Sequence, residues 1–260
     1  MKQILSLVCI ALVFTLPTPA QAAKGKFYAV PGRTGVTVPV WLIAPSQATD
    51  IVVLFSGGEG KLVITAKGIK HQANFLVRTR QMFADKGMIV AIPDKPSDKA
   101  DLFGFRTTRA HAIDMSAVMQ FLRRRYPGKP LWLVGTSRGT ISVANVAAHI
   151  HGKAGPDGIV LTSSLTRGGV RNYDSLRDIN LAAITVPTLV VHNRKDECRF
   201  TPFSDAEALS GLLTAVKVKA FKVFDGGRSP GEACQARSYH GYLGIEAPVV
   251  DSIVDWIKSH

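Results

Sequence analysis

Along the chain, short unbroken apolar runs alternate with longer stretches whose apolar residues recur every three or four positions. The runs are DIVVLF at 50–55, MIVAI at 88–92, LWLV at 131–134, GIVL at 158–161 and PTLVVH at 187–192, and VKAFKVF at 218–224, interrupted by two lysines, reads as a further strand. A run without alternation is what a parallel strand covered on both faces looks like. Ahead of them, 27–30 and 36–43 read as two strands joined by a turn at Pro31-Gly32. Helical spacing occupies 74–86, with Phe75, Val77, Met82 and Phe83 apolar and Gly87 as the stop. It returns at 107–125, where Ile113, Ala117, Phe121 and Leu122 are expected on one face, and at 140–150, 202–213 and 248–258. Repeated strand-helix-strand units with right-handed crossovers predict an α/β fold: a mostly parallel, doubly wound sheet with helices on both faces. No linker, repeat or low-complexity segment interrupts the pattern, so 23–260 is predicted to be a single domain.

Residues 1–22 do not belong to that pattern. Lys2 precedes an apolar run from Ile4 to Leu16, and Ala20-Gln21-Ala22 is a small-residue cleavage signal. The run is shorter than the ~20 residues a membrane helix needs. It therefore predicts a secretory signal peptide cut after Ala22 and a periplasmic or secreted product without a transmembrane segment. Export also changes the cysteines. Cys9 leaves with the leader, and Cys198 and Cys234 remain as an even pair in an oxidising compartment. A disulfide between them is expected, worth roughly 3–4 kcal/mol by chain entropy. No C-x-x-C or His/Cys cluster is present, so neither a metal nor a cofactor is expected.

Hydrophobic residues make up 46% of the chain and charged ones 20%, which excludes wholesale disorder. The net charge is +13, of which only Lys2 lies in the leader. Such a surface can attract anionic partners such as envelope polymers or acidic substrates, or carry its charges dispersed without any partner. The one dense run, Arg123-Arg124-Arg125, closes a predicted helix, where cations complement the dipole. Nucleic acid is not an expected partner.

Candidate chemistry gathers where an open parallel sheet collects it, at the carboxyl ends of the strands. Phe55 is followed by Ser56-Gly57-Gly58, Val134 by Gly135-Thr136-Ser137-Arg138-Gly139, and His192 by Asn193-Arg194-Lys195-Asp196. Phe224 is followed by a loop that reaches His240 before the last helix. With G-x-S-x-G between a strand and a helix and the order Ser, Asp, His, the chain resembles the α/β-hydrolases across 23–260. The resemblance implies the α/β-hydrolase fold, with Ser137 as nucleophile, His240 as general base and acid, and Asp196 as the carboxylate that orients the imidazole. It also implies an oxyanion hole from the backbone N–H of Arg138 and of Gly57 or Gly58. Asp174, Asp178 and Asp225 are other acids near the second half, and His71, His111, His149, His151, His192 and His260 are the other histidines. Ser56, Glu59 and Arg106 are candidates for pocket lining. The Cys198–Cys234 bond would tie the acid loop to the histidine loop.

The connection between the strand near Leu165 and the one starting at Pro187 is short, which predicts little or no lid. The implied activity is cleavage of a small carboxylic ester or thioester, anionic ones included, through an acyl-enzyme. A peptidase or acyltransferase would use the same three residues. A basic envelope-binding protein on an inactive hydrolase scaffold is the alternative outside enzymes.

Overall fold

Strand burial follows from the apolar runs. The computed structural model describes residues 23–169 and 174–260; the predicted leader, 1–22, with Cys9, lies outside them. In chain order the strands and helices are β1 (Lys26–Pro31), β2 (Thr37–Ile43), β3 (Asp50–Phe55), β4 (Ile64–Thr65), β5 (Gly68–Ile69), α1 (Phe75–Arg78), α2 (Arg80–Asp85), β6 (Met88–Pro93), α3 (Arg109–Arg125), β7 (Leu131–Thr136), α4 (Gly139–His149), β8 (Gly158–Thr162), β9 (Thr188–Asn193), α5 (Phe203–Leu212), β10 (Lys219–Phe224) and α6 (Glu246–Lys258). Every residue of β3, β6, β7, β8 and β9 is buried, whereas the edge strand β10 is half exposed.

The main sheet has the order β1-β2-β6-β3-β7-β8-β9-β10. Only β1–β2 and β2–β6 are antiparallel; every other pairing is parallel. The chain leaves β3 for β6 on one side and returns to β7 on the other, so the order reverses there. A crevice opens at such a switch point beyond the carboxyl ends. The β3–β7 register runs from Ile51↔Leu131 to Phe55↔Gly135. The loops beginning at Ser56 and Ser137 therefore leave the sheet at nearly the same level.

Two apolar layers sandwich the sheet. One packs α3, α4 and α5 through Met115, Leu122, Ile141, Val146 and Leu209. The other packs α1, α2 and α6 through Phe75, Leu76, Phe83, Val250 and Ile253, around the fully buried Trp132. In the connection after β8, Leu176, Ile179, Leu181 and Ile184 are buried in the first layer. This part of the segment is thus packed into the body of the protein.

Three local expectations need correction. The stretch 74–86 is two helical turns, broken at Thr79 (φ −94°, ψ 2°). The Phe75 carbonyl keeps its backbone bond from the Thr79 N–H at 3.1 Å and also accepts the Thr79 hydroxyl at 2.8 Å, while the Val77 carbonyl accepts Arg80 Nη1 at 2.6 Å in place of a helix N–H. The inner face of α3 is Ala112, Met115, Val118, Met119 and Leu122; Ile113 is 45% exposed and Ala117 and Phe121 are only half-buried. Asp114 takes an inward place because Arg33 bonds it at 2.9 Å. Finally, the β4–β5 hairpin was not expected. The buried Asp94 carboxylate accepts the N–H groups of Leu62 and Ile64, both at 2.8 Å, and so pins the loop after β3 to the end of β6.

Candidate active site

The turn from β7 into α4 is too tight for ordinary side chains. A Cβ on Gly135 would lie 2.6 Å from the Gly139 carbonyl oxygen, and one on Gly139 would lie 2.2 Å from that of Phe55. The residue between them, Ser137, takes φ 54°, a left-handed conformation that costs a non-glycine residue about 1–3 kcal/mol and is kept where surroundings enforce it. Here the Ser137 N–H donates to the Thr162 carbonyl at 3.0 Å, and Thr140 donates its N–H (3.0 Å) and hydroxyl (2.6 Å) to the Ser137 carbonyl. Gly57 lies directly alongside: a Cβ there would be 2.9 Å from the Ser137 Cβ. Among the described residues, no acceptor receives the backbone N–H of Gly57, Gly58 or Arg138.

Asp196 follows β9 and is 7% exposed. Its Oδ2 accepts from His240 Nδ1 at 2.9 Å and from the Thr201 hydroxyl at 3.0 Å, while Oδ1 accepts the Cys198 N–H at 2.9 Å. His240 sits on a 3₁₀ turn, Tyr239–Gly241, capped by the Ser238 hydroxyl. Distant elements hold that turn: Ser163 Oγ donates to the His240 carbonyl at 2.8 Å, Asn193 Nδ2 to that of Tyr239 at 3.3 Å, and Arg78 to those of Ala236 and Gly241. The Cys198–Cys234 disulfide joins the acid loop to the segment preceding the turn.

Ser137 and His240 line one open cleft of about 380 Å³, together with Ser56, Gly57, Gly58 and Glu59. No hydrogen bond joins Ser137 Oγ to His240 among the described residues. The cleft also exposes His71, Asn74, Lys61 and Gln235, which the sequence did not single out. Nor did it single out Thr201; a hydroxyl five residues after the acid carried no separate signal. Arg106, considered for pocket lining, is instead buried beneath the cleft with 1% of its surface exposed. The other acids have other partners: Asp174 accepts the Gly104 N–H, Asp178 caps its own turn and Asp225 pairs with Lys195.

No protein-family model matches the sequence, and no curated protein does. Solved structures do match. An esterase of Pyrococcus furiosus superposes with a TM-score of 0.68 at 12% identity, covering 91% of this chain and 91% of that one. An alpha-beta serine hydrolase homologue from Coxiella burnetii gives 0.62 at 16% identity, covering 88% and 96%. A serine hydrolase without lid from Xanthomonas campestris gives 0.59 at 14%, covering 93% and 97%. This chain has the α/β-hydrolase fold.

On this α/β-hydrolase fold the charged groups near the cleft are strongly shaped by burial. Burial pushes Arg106 down to about 9, with the nearby Arg138 adding to the effect, so it is a cation at neutral pH. Burial lowers Arg138 too, against the field of Asp174. His111, packed edge-on against Phe55 and Phe105, is pushed down to about 3 by burial and by Arg106, and is neutral. Behind the acid, His192 Nε2 lies 3.7 Å from Asp196 Oδ2, and burial lowers its pKa against that carboxylate's pull. Among the described residues, no helix of this hydrolase fold is long and apolar enough to cross a membrane.

Proposed function

We propose that the chain is an exported serine hydrolase that cleaves a carboxylic ester or thioester through an acyl-enzyme. The observation that carries the proposal is the 2.9 Å Asp196–His240 contact on the cleft that also holds the strained Ser137. A serine hydroxyl is a weak nucleophile at neutral pH and needs a base within reach. In the proposed reaction, Ser137 Oγ attacks the substrate carbonyl as His240 Nε2 takes its proton. Asp196 holds Nδ1–H, which fixes the tautomer and stabilises the imidazolium. The carbonyl oxygen, now negative, receives the free N–H of Arg138 and of Gly57 or Gly58. His240 then gives its proton to the departing alcohol or thiol, leaving Ser137 acylated. Water repeats the sequence: His240 takes its proton, the acyl bond breaks, and Ser137 is regenerated with release of the acid. A Ser137–His240 hydrogen bond is expected to form around substrate, as catalytic contacts of this kind commonly close only in the complex.

Substrate size follows from the cleft. Its walls are small or polar groups, with Leu62 and Phe75 the large apolar exceptions, which favours short acyl chains. Lys61 and His71 line the cleft beside one carboxylate, Glu59, and the +13 charge of the protein as a whole suits anionic esters. Labelling with a fluorophosphonate tests the chemistry: wild type reacts and Ser137→Ala does not. A folded wild type that stays unlabelled would overturn the enzyme and favour a binding protein. A panel of p-nitrophenyl esters then ranks acyl length. Faster cleavage of peptide or transfer to an added alcohol would reassign the reaction to a peptidase or acyltransferase.

A further inference from the structure

Among the described residues no carboxylate bonds Arg106, a buried cation, and such a group is costly to keep. Its Nη1 donates to Ser142 Oγ on α4 at 2.7 Å. Its Nη2 donates to the Ser56 carbonyl at 3.0 Å and, less closely, to that of Gly58 at 3.4 Å. Its Nε has no partner among the described residues. The acidic groups whose fields reach it, Asp174 and Asp101, do not bond it. A neutral or apolar side chain would fill a purely structural place at less cost, because an ion loses its hydration on burial. The guanidinium therefore calls for a use of its charge and its fork.

The carbonyls it holds belong to the loop beside Ser137. The Ser56–Gly57 peptide is trans, so its N–H points opposite to its C=O. With the Ser56 carbonyl drawn down onto Arg106, the Gly57 N–H faces away from the guanidinium. No described acceptor occupies it, and Gly57 packs against Ser137. A charged donor on the carbonyl also polarises the peptide, which makes its N–H a stronger donor in turn. The contact with Ser142 ties the same guanidinium to the helix that begins after Arg138, so both proposed oxyanion donors are referenced to one buried group. Taking the serine hydrolase proposed above as the premise, we infer that Arg106 is a positioning residue: it aims the Gly57 N–H at the oxyanion and strengthens it, without touching substrate.

Three variants, R106M, R106K and S142A, test this beside wild type and Ser137→Ala. Each is assayed for kcat and KM on a short p-nitrophenyl ester and for affinity toward a trifluoromethyl ketone, whose serine adduct carries an oxyanion. Loss of an oxyanion donor outright costs about 10²–10³-fold in kcat, so a misaimed and weakened one in R106M should cost about 10–100-fold. KM should stay within about twofold, since the lost interaction belongs to the transition state. Ketone affinity should fall in step with kcat, and R106K, which keeps the charge, should recover part of both. A folded R106M with wild-type kcat overturns the inference. So does a loss of kcat with unchanged ketone affinity, the signature of general loosening. If R106M fails to fold, S142A frees one end of the fork without touching the loop. A few-fold loss of kcat at constant KM then supports the inference, and an unchanged kcat overturns it. An unlabelled, inactive but folded wild type overturns the hydrolase itself, a result distinct from an active wild type with an equally active R106M.

Discussion

Replacing Cys198 and Cys234 together with serine removes a covalent tie between the acid loop and the segment leading to His240. The bonded residues are 36 apart in sequence. Loop-closure entropy for a loop of that length is about 13 cal/mol/K, or about 4 kcal/mol at 25 °C. For a protein of this size each kcal/mol moves the melting temperature by about 2–4 °C, so the double variant should melt about 8–16 °C lower. The tie also has a local consequence. The Cys198 N–H is one of three donors on the Asp196 carboxylate, and Cys234 lines the cleft itself. Below its melting temperature the variant should therefore lose kcat more than it gains in KM, because the carboxylate proposed to orient His240 is less well held. Thermal unfolding followed by circular dichroism, with ester kinetics at a temperature where both proteins are folded, measures the two effects separately. A melting temperature lowered by under about 3 °C would refute the entropy estimate. Unchanged kcat in the folded variant would refute the role in registering the loops. Both thiols titrating free in the protein as isolated from an oxidising compartment would remove the premise.

Asp196→Asn should keep the fold and lower kcat by about 10⁴-fold, because the amide favours the wrong imidazole tautomer; ester kinetics with a matched melting curve would show it, and a loss under tenfold would argue against the role. Gly139→Ala places a methyl 2.2 Å from the Phe55 carbonyl oxygen, so β3 or α4 must shift; a destabilisation of about 3 kcal/mol or more is expected in urea unfolding, and a normal midpoint would contradict the close approach. His111 has a folded pKa of about 3, held below its ordinary 6.5 chiefly by burial. The unfolded chain thus binds the extra proton first, so stability is full above 6.5 and falls as pH drops through the window, by about 4 kcal/mol at pH 3. His111→Phe should flatten that acid limb of the urea midpoint against pH, and parallel curves for the two proteins would sink the assignment.

Much of this molecule could be anticipated from one-dimensional patterns. Strands buried on both faces are apolar at most positions, so β3, β6, β7, β8 and β9 announce themselves as near-continuous apolar runs with polar residues only at their ends. The alternation with helical spacing then leaves few topologies, and the predicted mostly parallel sheet is found. The glycines of 135–139 mark a turn whose tightness is visible in composition alone. What failed was local. The break at Thr79 goes with an arginine side chain taking the Val77 carbonyl, and the inner face of α3 includes Asp114 because a distant arginine holds it there. Hydrophobic spacing has no term for either.

Sequence determined the order and burial of the strands, the oxidisable cysteine pair and the presence of a serine, an acid and a histidine after three of the strand ends, because each of these is a matter of residue type and local spacing. Only the tertiary structure decided that Asp196 and His240 stand 2.9 Å apart, that Thr201 shares the carboxylate, that Asn74 and His71 face the cleft and that Arg106 lies under it. Those relations join segments far apart in the chain, and their geometry comes from sheet register and from buried polar groups seeking partners, which no local pattern encodes.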